Sequence, residues 1–357
     1  MKKIAIIIPT LNGGGAERVI LNIINNIDKT KCKIRLILVK KEGVYLKMIP
    51  DYVEIVDLKC KKARYSFFKL IKEINNYKPD TVLSTLNYMN ILLLLTRPFL
   101  RGKPKLIIRE ANTPSKILGN ISNKKKKVLV FLYNKIYSTS DLIVAQCKEM
   151  KQDIIDTYRI KAEKIIYIYN PIDTEKIFTN YKNEYPYDKK DINLVAMGRL
   201  NYQKGFDNLI KAFNIVSKKV NNAKLFIIGE GNLKGELESL TIDLGIQDRV
   251  SFCGFKENPY PYLYYSDVYI LSSRWEGFPN SLLEALACKT KVISTNCKSG
   301  PREIIGDNEY GDLVEVDDYK SLALAIIKTL DQENKSNERY KAFEIDNIIK
   351  QYEKILL

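Results

Sequence analysis

Two carboxylates eight residues apart, two cations five apart and a run of three glycines are the parts of this sequence suited to chemistry. Glu276 and Glu284 enclose Gly277-Phe278-Pro279-Asn280. Gly277 and Pro279 bar helix before about Asn280, so Glu276 falls on a loop and Glu284 in the first turns of a helix from Ser281. Arg199 and Lys204 stand in Gly198-Arg199-Leu200-Asn201-Tyr202-Gln203-Lys204-Gly205, between a strand-like run and a helix expected from Phe206. Two cations beside a helix start can hold a diphosphate and stabilise it as it departs. Gly13-Gly14-Gly15 follows the apolar run Ile4–Ile8 and precedes a helical pattern, which makes a third place where free N–H groups meet an anion. Taken singly, each feature is better read as surface cations, a solvated acid, a dipole partner or a tight turn.

Composition removes other chemistries. The 357 residues contain no histidine, which excludes Ser-His triads, histidine general bases and most zinc sites. Six scattered cysteines without a C-x-x-C pair read as buried thiols in a reducing compartment. The glycine loop lacks G-x-G-x-x-G spacing, and no acid closes the second strand, which disfavours a nicotinamide-dinucleotide fold. The opening apolar run has only five residues before Pro9, too few for a signal peptide, and Ile91–Leu95 is far short of a membrane span. A cytoplasmic chain is expected.

The elements that must position these residues follow an alternating rhythm. Short Ile/Val/Leu runs at Ile4–Ile8, Ile34–Val39, Thr81–Leu86, Lys105–Ile108, Leu142–Ala145 and Ile165–Ile168 read as strands, with a helix over Ala16–Ile27. A polar, tyrosine-rich interval, Asp173–Asp191, separates them from a second series: Asn193–Met197, Lys224–Ile228, Val250–Cys253, Val268–Leu271 and Val292–Ser294. Continuous apolar strands alternating with helices imply parallel sheets covered on both faces. The fold class expected is α/β, two doubly wound domains over 1–174 and 190–336, with ligands at the strands' carboxyl ends between them.

The three constellations together resemble the retaining glycosyltransferases of family 4, with GT-B architecture: two facing Rossmann-like domains and an interdomain cleft. Glu276 to Glu284 matches the family's E-x7-E motif, and Gly198-Arg199-Leu200 with Gln203-Lys204-Gly205 its diphosphate loop. Ser299-Gly300-Pro301-Arg302-Glu303 with Gly311-Asp312-Leu313-Val314, and the junction Asn170-Pro171-Ile172-Asp173, match in family order. The final helix, within 340–357, resembles the one that returns to the N-terminal domain. The resemblance implies that Arg199 and Lys204 hold the donor diphosphate, that Glu276 binds the donor sugar and Glu284 the ribose, and that Phe278 and Asn280 face the sugar. It also implies that Gly254 and Phe255 flank the base and that Gly14 and Gly15 approach the phosphates or acceptor. Relatives often carry a histidine in the N-terminal half, where this chain has Arg109-Glu110-Ala111-Asn112, so that acceptor-side place passes to Glu110 or Asn112 or is dispensed with. Relatives often follow the motif helix with Gly and Pro, where Lys289 and Lys291 stand here.

The implied activity is transfer of a hexose or N-acetylhexosamine from a nucleotide diphosphate sugar, UDP by family habit, to a glycan or polyprenyl-linked acceptor in surface polysaccharide or glycoconjugate synthesis. No D-x-D motif stands where a metal-dependent transferase needs one, so neither metal nor cofactor is expected. Charge adds a partner: residues 1–175 hold 33 Lys and Arg against 16 Asp and Glu, while the remainder holds 25 against 26. With Lys124–Lys127 ahead of Val128, Leu129, Phe131, Leu132 and Ile136, and a leucine-rich stretch Tyr88–Leu100, the basic half suits an anionic membrane surface, peripherally on the inner face. Two alternatives stay open: a sugar-nucleotide epimerase of the same fold, and a nucleic-acid-binding protein, although no specific nucleic-acid motif is present.

Overall fold

The computed structural model describes residues 1–119, 122–182, 185–333 and 338–357. Residues 183 and 184 of the polar interval and the domain end expected at 336 lie outside these. The chain forms two compact units, Met1–Pro171 with Ile345–Leu357, and Ile172–Glu344.

The first unit is built on seven parallel strands: β1 (Lys2–Ile8), β2 (Cys32–Leu38), β3 (Glu54–Asp57), β4 (Thr81–Thr85), β5 (Lys105–Arg109), β6 (Leu142–Ala145) and β7 (Ile165–Tyr167). Their order is β3-β2-β1-β4-β5-β6-β7. The apolar runs of β1 and β2 pair in register from Lys2 with Cys32 to Ile8 with Leu38. Both faces are covered, which is why β1 reads as a continuous apolar run, Ile4-Ala5-Ile6-Ile7-Ile8, rather than alternation. Helix Gly15–Asn26 lays Ile20, Ile23 and Ile24 on one face, and Ile348, Ile349 and Tyr352 of the final helix, Ile345–Leu356, join the same core.

The second unit repeats the plan with six strands: β8 (Ile192–Met197), β9 (Ala223–Ile228), β10 (Val250–Gly254), β11 (Val268–Leu271), β12 (Lys291–Thr295) and β13 (Asp312–Val314). Their order is β10-β9-β8-β11-β12-β13. In each unit the order reverses beside the first strand, between β1 and β4 and between β8 and β11. Chains leaving these neighbours diverge and open a crevice at the carboxyl ends.

Two strands escape a reading of the sequence, β3 and β13. Both are short edge strands, and each is only partly buried, so neither carries the apolar run that marks a central strand. The leucine-rich stretch behaves mainly as core. Helix Asn87–Thr96 buries Leu92, Leu93 and Leu94 and turns Tyr88 and Leu95 outward. Helix Asn123–Tyr137, by contrast, exposes Val128, Phe131 and Leu132 beside its lysines. Among the described residues no helix is long and apolar enough to cross a membrane.

Candidate active site

The switch point of the second unit gathers the two charged constellations. The β8 loop carries Arg199 and Lys204, and the β11 loop carries Arg274, Trp275 and Glu276. The two loops are tied together at the backbone. The amide of Arg274 donates to the Gln203 carbonyl at 2.7 Å, the Gln203 side-chain amide donates to the Trp275 carbonyl at 2.9 Å, and the Ser272 hydroxyl donates to the Lys204 carbonyl at 2.8 Å. Gly205 makes this approach possible. Its φ is +62°, and a Cβ there would stand 2.2 Å from the Ser272 carbonyl oxygen.

With the loops so held, the ammonium of Lys204 donates to Glu276 Oε1 at 2.6 Å, and the Ser273 hydroxyl donates to the same oxygen at 2.5 Å. Glu276 is buried and Lys204 nearly so. Arg199, from the same loop, is exposed and makes no ion pair among the described residues. A cation on the surface beside a nearly buried lysine and a buried carboxylate suits a doubly charged phosphate group with a polar group attached.

Glu284 lies in helix Asn280–Ala287, which starts one residue earlier than Ser281, and it is buried. Tyr269 of β11 donates to the Ser281 hydroxyl at 2.7 Å and so fastens the helix start to the sheet. Burial raises the Tyr269 phenol, which stays a donor. Phe278 is buried, its ring 5.6 Å from that of Phe343, and Asn280 begins the helix half-exposed. Gly254 closes β10 and accepts from the Gly229 amide at 2.9 Å, whereas Phe255 turns its ring outward. The sites named from the sequence in this half therefore all fall at the carboxyl ends of the sheet or in the helix behind them.

In the first unit the glycine loop follows β1, at that sheet's own switch point. Gly14 caps helix Gly15–Asn26, and its amide donates to the carboxylate of Glu17. An anion at this helix start would replace that carboxylate. Glu110 and Asn112 part company. Asn112 is exposed, while Glu110 is wholly buried, accepting from the Tyr137 hydroxyl and, at 3.1 Å, from the Asn90 amide. Burial raises its carboxyl above the usual range, against those hydrogen bonds and the charge of Arg109. Glu110 Oε2 has no partner among the described residues.

The residue to which the sequence alone assigns no role is Arg274. It donates to both Asp207 oxygens at 3.0 and 2.7 Å, to Asp317 at 2.7 Å and to the Tyr202 carbonyl at 2.8 Å, and its guanidinium lies 4.0 Å from the Tyr202 ring centre. One side chain thus joins the β8 loop, the start of helix Phe206–Lys219 and the turn after β13. Only the low chance of an arginine being buried, here 8% exposed, could have signalled it, and burial is invisible in the sequence.

The chain is similar to known proteins along its whole length. A family model described as Glycosyltransferase Family 4 matches residues 13–176, and one described as Glycosyl transferases group 1 matches residues 177–344. The chain is 34% identical, over 100% of both chains, to the N-acetylgalactosamine-N,N'-diacetylbacillosaminyl-diphospho-undecaprenol 4-alpha-N-acetylgalactosaminyltransferase of Campylobacter jejuni. It is 31% identical to an uncharacterized glycosyltransferase of Methanocaldococcus jannaschii, over 81% of this chain and 82% of that one. Among solved structures, Anabaena HepE in complex with UDP and glucose superposes with a TM-score of 0.81 at 18% identity, over 100% and 99% of the two chains. These relatives set aside the epimerase and nucleic-acid readings. The chain belongs to the glycosyltransferases of family 4 and has their GT-B fold of two Rossmann-like units.

Proposed function

We propose that the protein transfers a hexose or N-acetylhexosamine from a UDP-sugar to a polyprenyl-linked glycan, with retention of configuration and without a metal. The observation that carries this reading is the Lys204–Glu276 pair at the switch point of the second unit. The names of the Campylobacter relative and of the Anabaena complex support a lipid-linked acceptor and a UDP donor.

In this reading the donor diphosphate takes the Lys204 ammonium from Glu276, and Arg199 closes on it from the surface. The freed Glu276 carboxylate accepts from the sugar hydroxyls, and Glu284 from the ribose. The bond from the anomeric carbon to the diphosphate breaks, and the acceptor oxygen forms its bond on the same face. The departing phosphate oxygen takes the acceptor's proton. The chain itself holds the reactants in place and stabilises the charge that develops on the leaving diphosphate. Activity should persist in EDTA; a loss that magnesium or manganese restores would remove the metal-free mechanism. Thermal shift with UDP, GDP and ADP sugars identifies the donor, and an NMR assignment of the product's anomeric proton decides retention.

The first unit is proposed to work at an anionic membrane. Support comes from its positive charge and from helix Asn123–Tyr137, where Lys124, Lys125 and Lys127 stand exposed next to Val128 and Phe131. Vesicle sedimentation tests it: changing Lys124–Lys127 to glutamine should lower binding to anionic vesicles and leave donor binding unchanged. Equal partitioning of the unchanged protein into neutral and anionic supernatants at low salt would point to a soluble acceptor.

A further inference from the structure

We propose that a groove in the first unit seats the diphosphate and first isoprene units of a polyprenyl diphosphate, the lipid end of the acceptor. This rests on the lipid-acceptor reading above and adds the place where the lipid binds. The groove, of about 560 Å³, opens at the carboxyl ends of β1 and β2. Its floor is the outer side of helix Asn87–Thr96, at Tyr88, Ile91, Leu92 and Leu95. Its walls are the loops after β1 and β2 and the segment Cys60–Arg64.

The walls are fixed by backbone hydrogen bonds. The Leu11 amide donates to the Glu42 carbonyl at 2.9 Å, the Lys40 amide to the Pro9 carbonyl at 3.1 Å and the Cys60 amide to the Val39 carbonyl at 2.9 Å. Where the first two loops cross, Gly43 has φ +123°, and a Cβ there would stand 2.1 Å from the Leu11 carbonyl carbon. Only glycine permits that crossing. The groove is therefore built into the fold, immediately before the glycine loop.

Floor and rim differ in chemistry. The floor is hydrocarbon. The rim carries Lys40, Lys61, Lys62 and Arg64 against Glu42 alone. Lys40 and Glu42 pair with each other, whereas Lys61, Lys62 and Arg64 face no carboxylate among the described residues. A sugar has neither charge for this rim nor hydrocarbon for this floor, and inorganic phosphate leaves the floor uncovered. A diphosphate diester joined to an isoprenoid satisfies both. On the segments that follow Arg64 and Leu95, Tyr65, Phe68 and Phe99 are exposed, with the Phe67 ring 5.2 Å from Phe68 and 6.0 Å from Phe99. The remaining hydrocarbon would leave along these rings.

The test is calorimetric titration of the full chain with farnesyl diphosphate, with saturating UDP present to fill the diphosphate site of the second unit. Changing Lys61, Lys62 and Arg64 together to glutamine should weaken binding at least tenfold, and Leu95→Asp on the half-exposed floor should do so separately. Both variants should keep the parent's melting temperature and UDP affinity, and inorganic diphosphate should bind at least tenfold more weakly than farnesyl diphosphate. Unchanged affinity in both variants would overturn the assignment. So would inorganic diphosphate, or a short-chain phosphatidylglycerol, binding as tightly as farnesyl diphosphate. A chain that binds no UDP and transfers no sugar refutes the transferase reading instead, and the groove is then judged on farnesyl diphosphate and the cation variant alone.

Discussion

The ammonium of Lys204 lies 2.6 Å from Oε1 of Glu276, although 72 residues separate them in the chain. In the proposed reading each receives a different part of a sugar nucleotide, and each neutralises the other in a partly buried place. The pair keeps a carboxylate and an ammonium poised without leaving either charge unmatched.

That arrangement predicts coupled losses. Lys204→Met and Glu276→Gln should each lower kcat/KM by at least ~10²-fold, because each removes a charge used in the transition state. Combined, they should lose less than the product of the single losses, since either change alone already strands its partner. Glu284→Ala should mainly raise the donor KM. Steady-state kinetics with melting temperatures would check this, and full turnover by Lys204→Met would end the case for the site.

Arg274 predicts a different pattern. Asp207 is partly buried, which would raise its carboxyl, but hydrogen bonds and charge from Arg274 outweigh burial and hold it below the usual range. Because Asp207 and Asp317 are substantially exposed, Arg274→Met should destabilise by only about 1–2 kcal/mol. It should loosen the β8 loop and raise the donor KM more than it lowers kcat. Arg274→Lys, which keeps the charge but loses the fork, should restore stability better than KM. A variant with the parent's KM would confine Arg274 to a structural role.

How much of this was legible depends on where the information resides. The strands β1, β8 and β11 announce themselves because both their faces are buried, and Gly205 and Pro279 fix local backbone by their own chemistry. The motif residues could be placed on loops and helix starts from such signals alone. The Lys204–Glu276 bond and the four-way contact of Arg274 could not, because both join segments that meet only through the parallel strand order. Glu110 was readable as an acid at the end of β5, yet its burial depends on Tyr137 and Asn90 from other elements.

Lys289 shows a local rule kept under strain. After helix Asn280–Ala287 its amide donates to the Leu286 carbonyl at 3.0 Å, and the Thr290 amide donates to the Ala285 carbonyl at 3.1 Å. This is the Schellman closure, whose turning residue is left-handed and usually glycine. Lys289 adopts it with φ +61°. Lys289→Gly should therefore raise stability by about 0.5–1 kcal/mol, read as a higher denaturation midpoint at unchanged slope, with kinetics unaffected. A lower midpoint would mean that the lysine side chain contributes more than its backbone loses.

Glu110 offers a test in pH. Its carboxyl is fully buried, and burial raises it; Tyr137, Asn90 and the neighbouring Arg109 oppose that only in part. Tyr137 stays a donor, since burial and the charge of Glu110 push its phenol well up. Tyr133 and Tyr158, stacked with ring centres 4.5 Å apart, complete the surroundings and bring no positive charge. A group whose pKa is higher folded than unfolded contributes stability that is complete below the unfolded value, near 4.3 for glutamate. That stability is lost as pH rises through the folded value. Glu110→Gln keeps an oxygen to accept from Tyr137 and places an amide nitrogen at Oε2, which has no partner among the described residues in the parent chain. The variant removes the titration, and the buried amide it adds shifts stability by the same amount at every pH. Relative to it, the parent should lose melting temperature as the pH rises from 5 to 8. Melting both proteins across that range cancels every other titrating group. A difference that stays constant would show that Glu110 is ionised in the fold throughout, and a difference that grows in the parent's favour with pH would reverse the sign argued here.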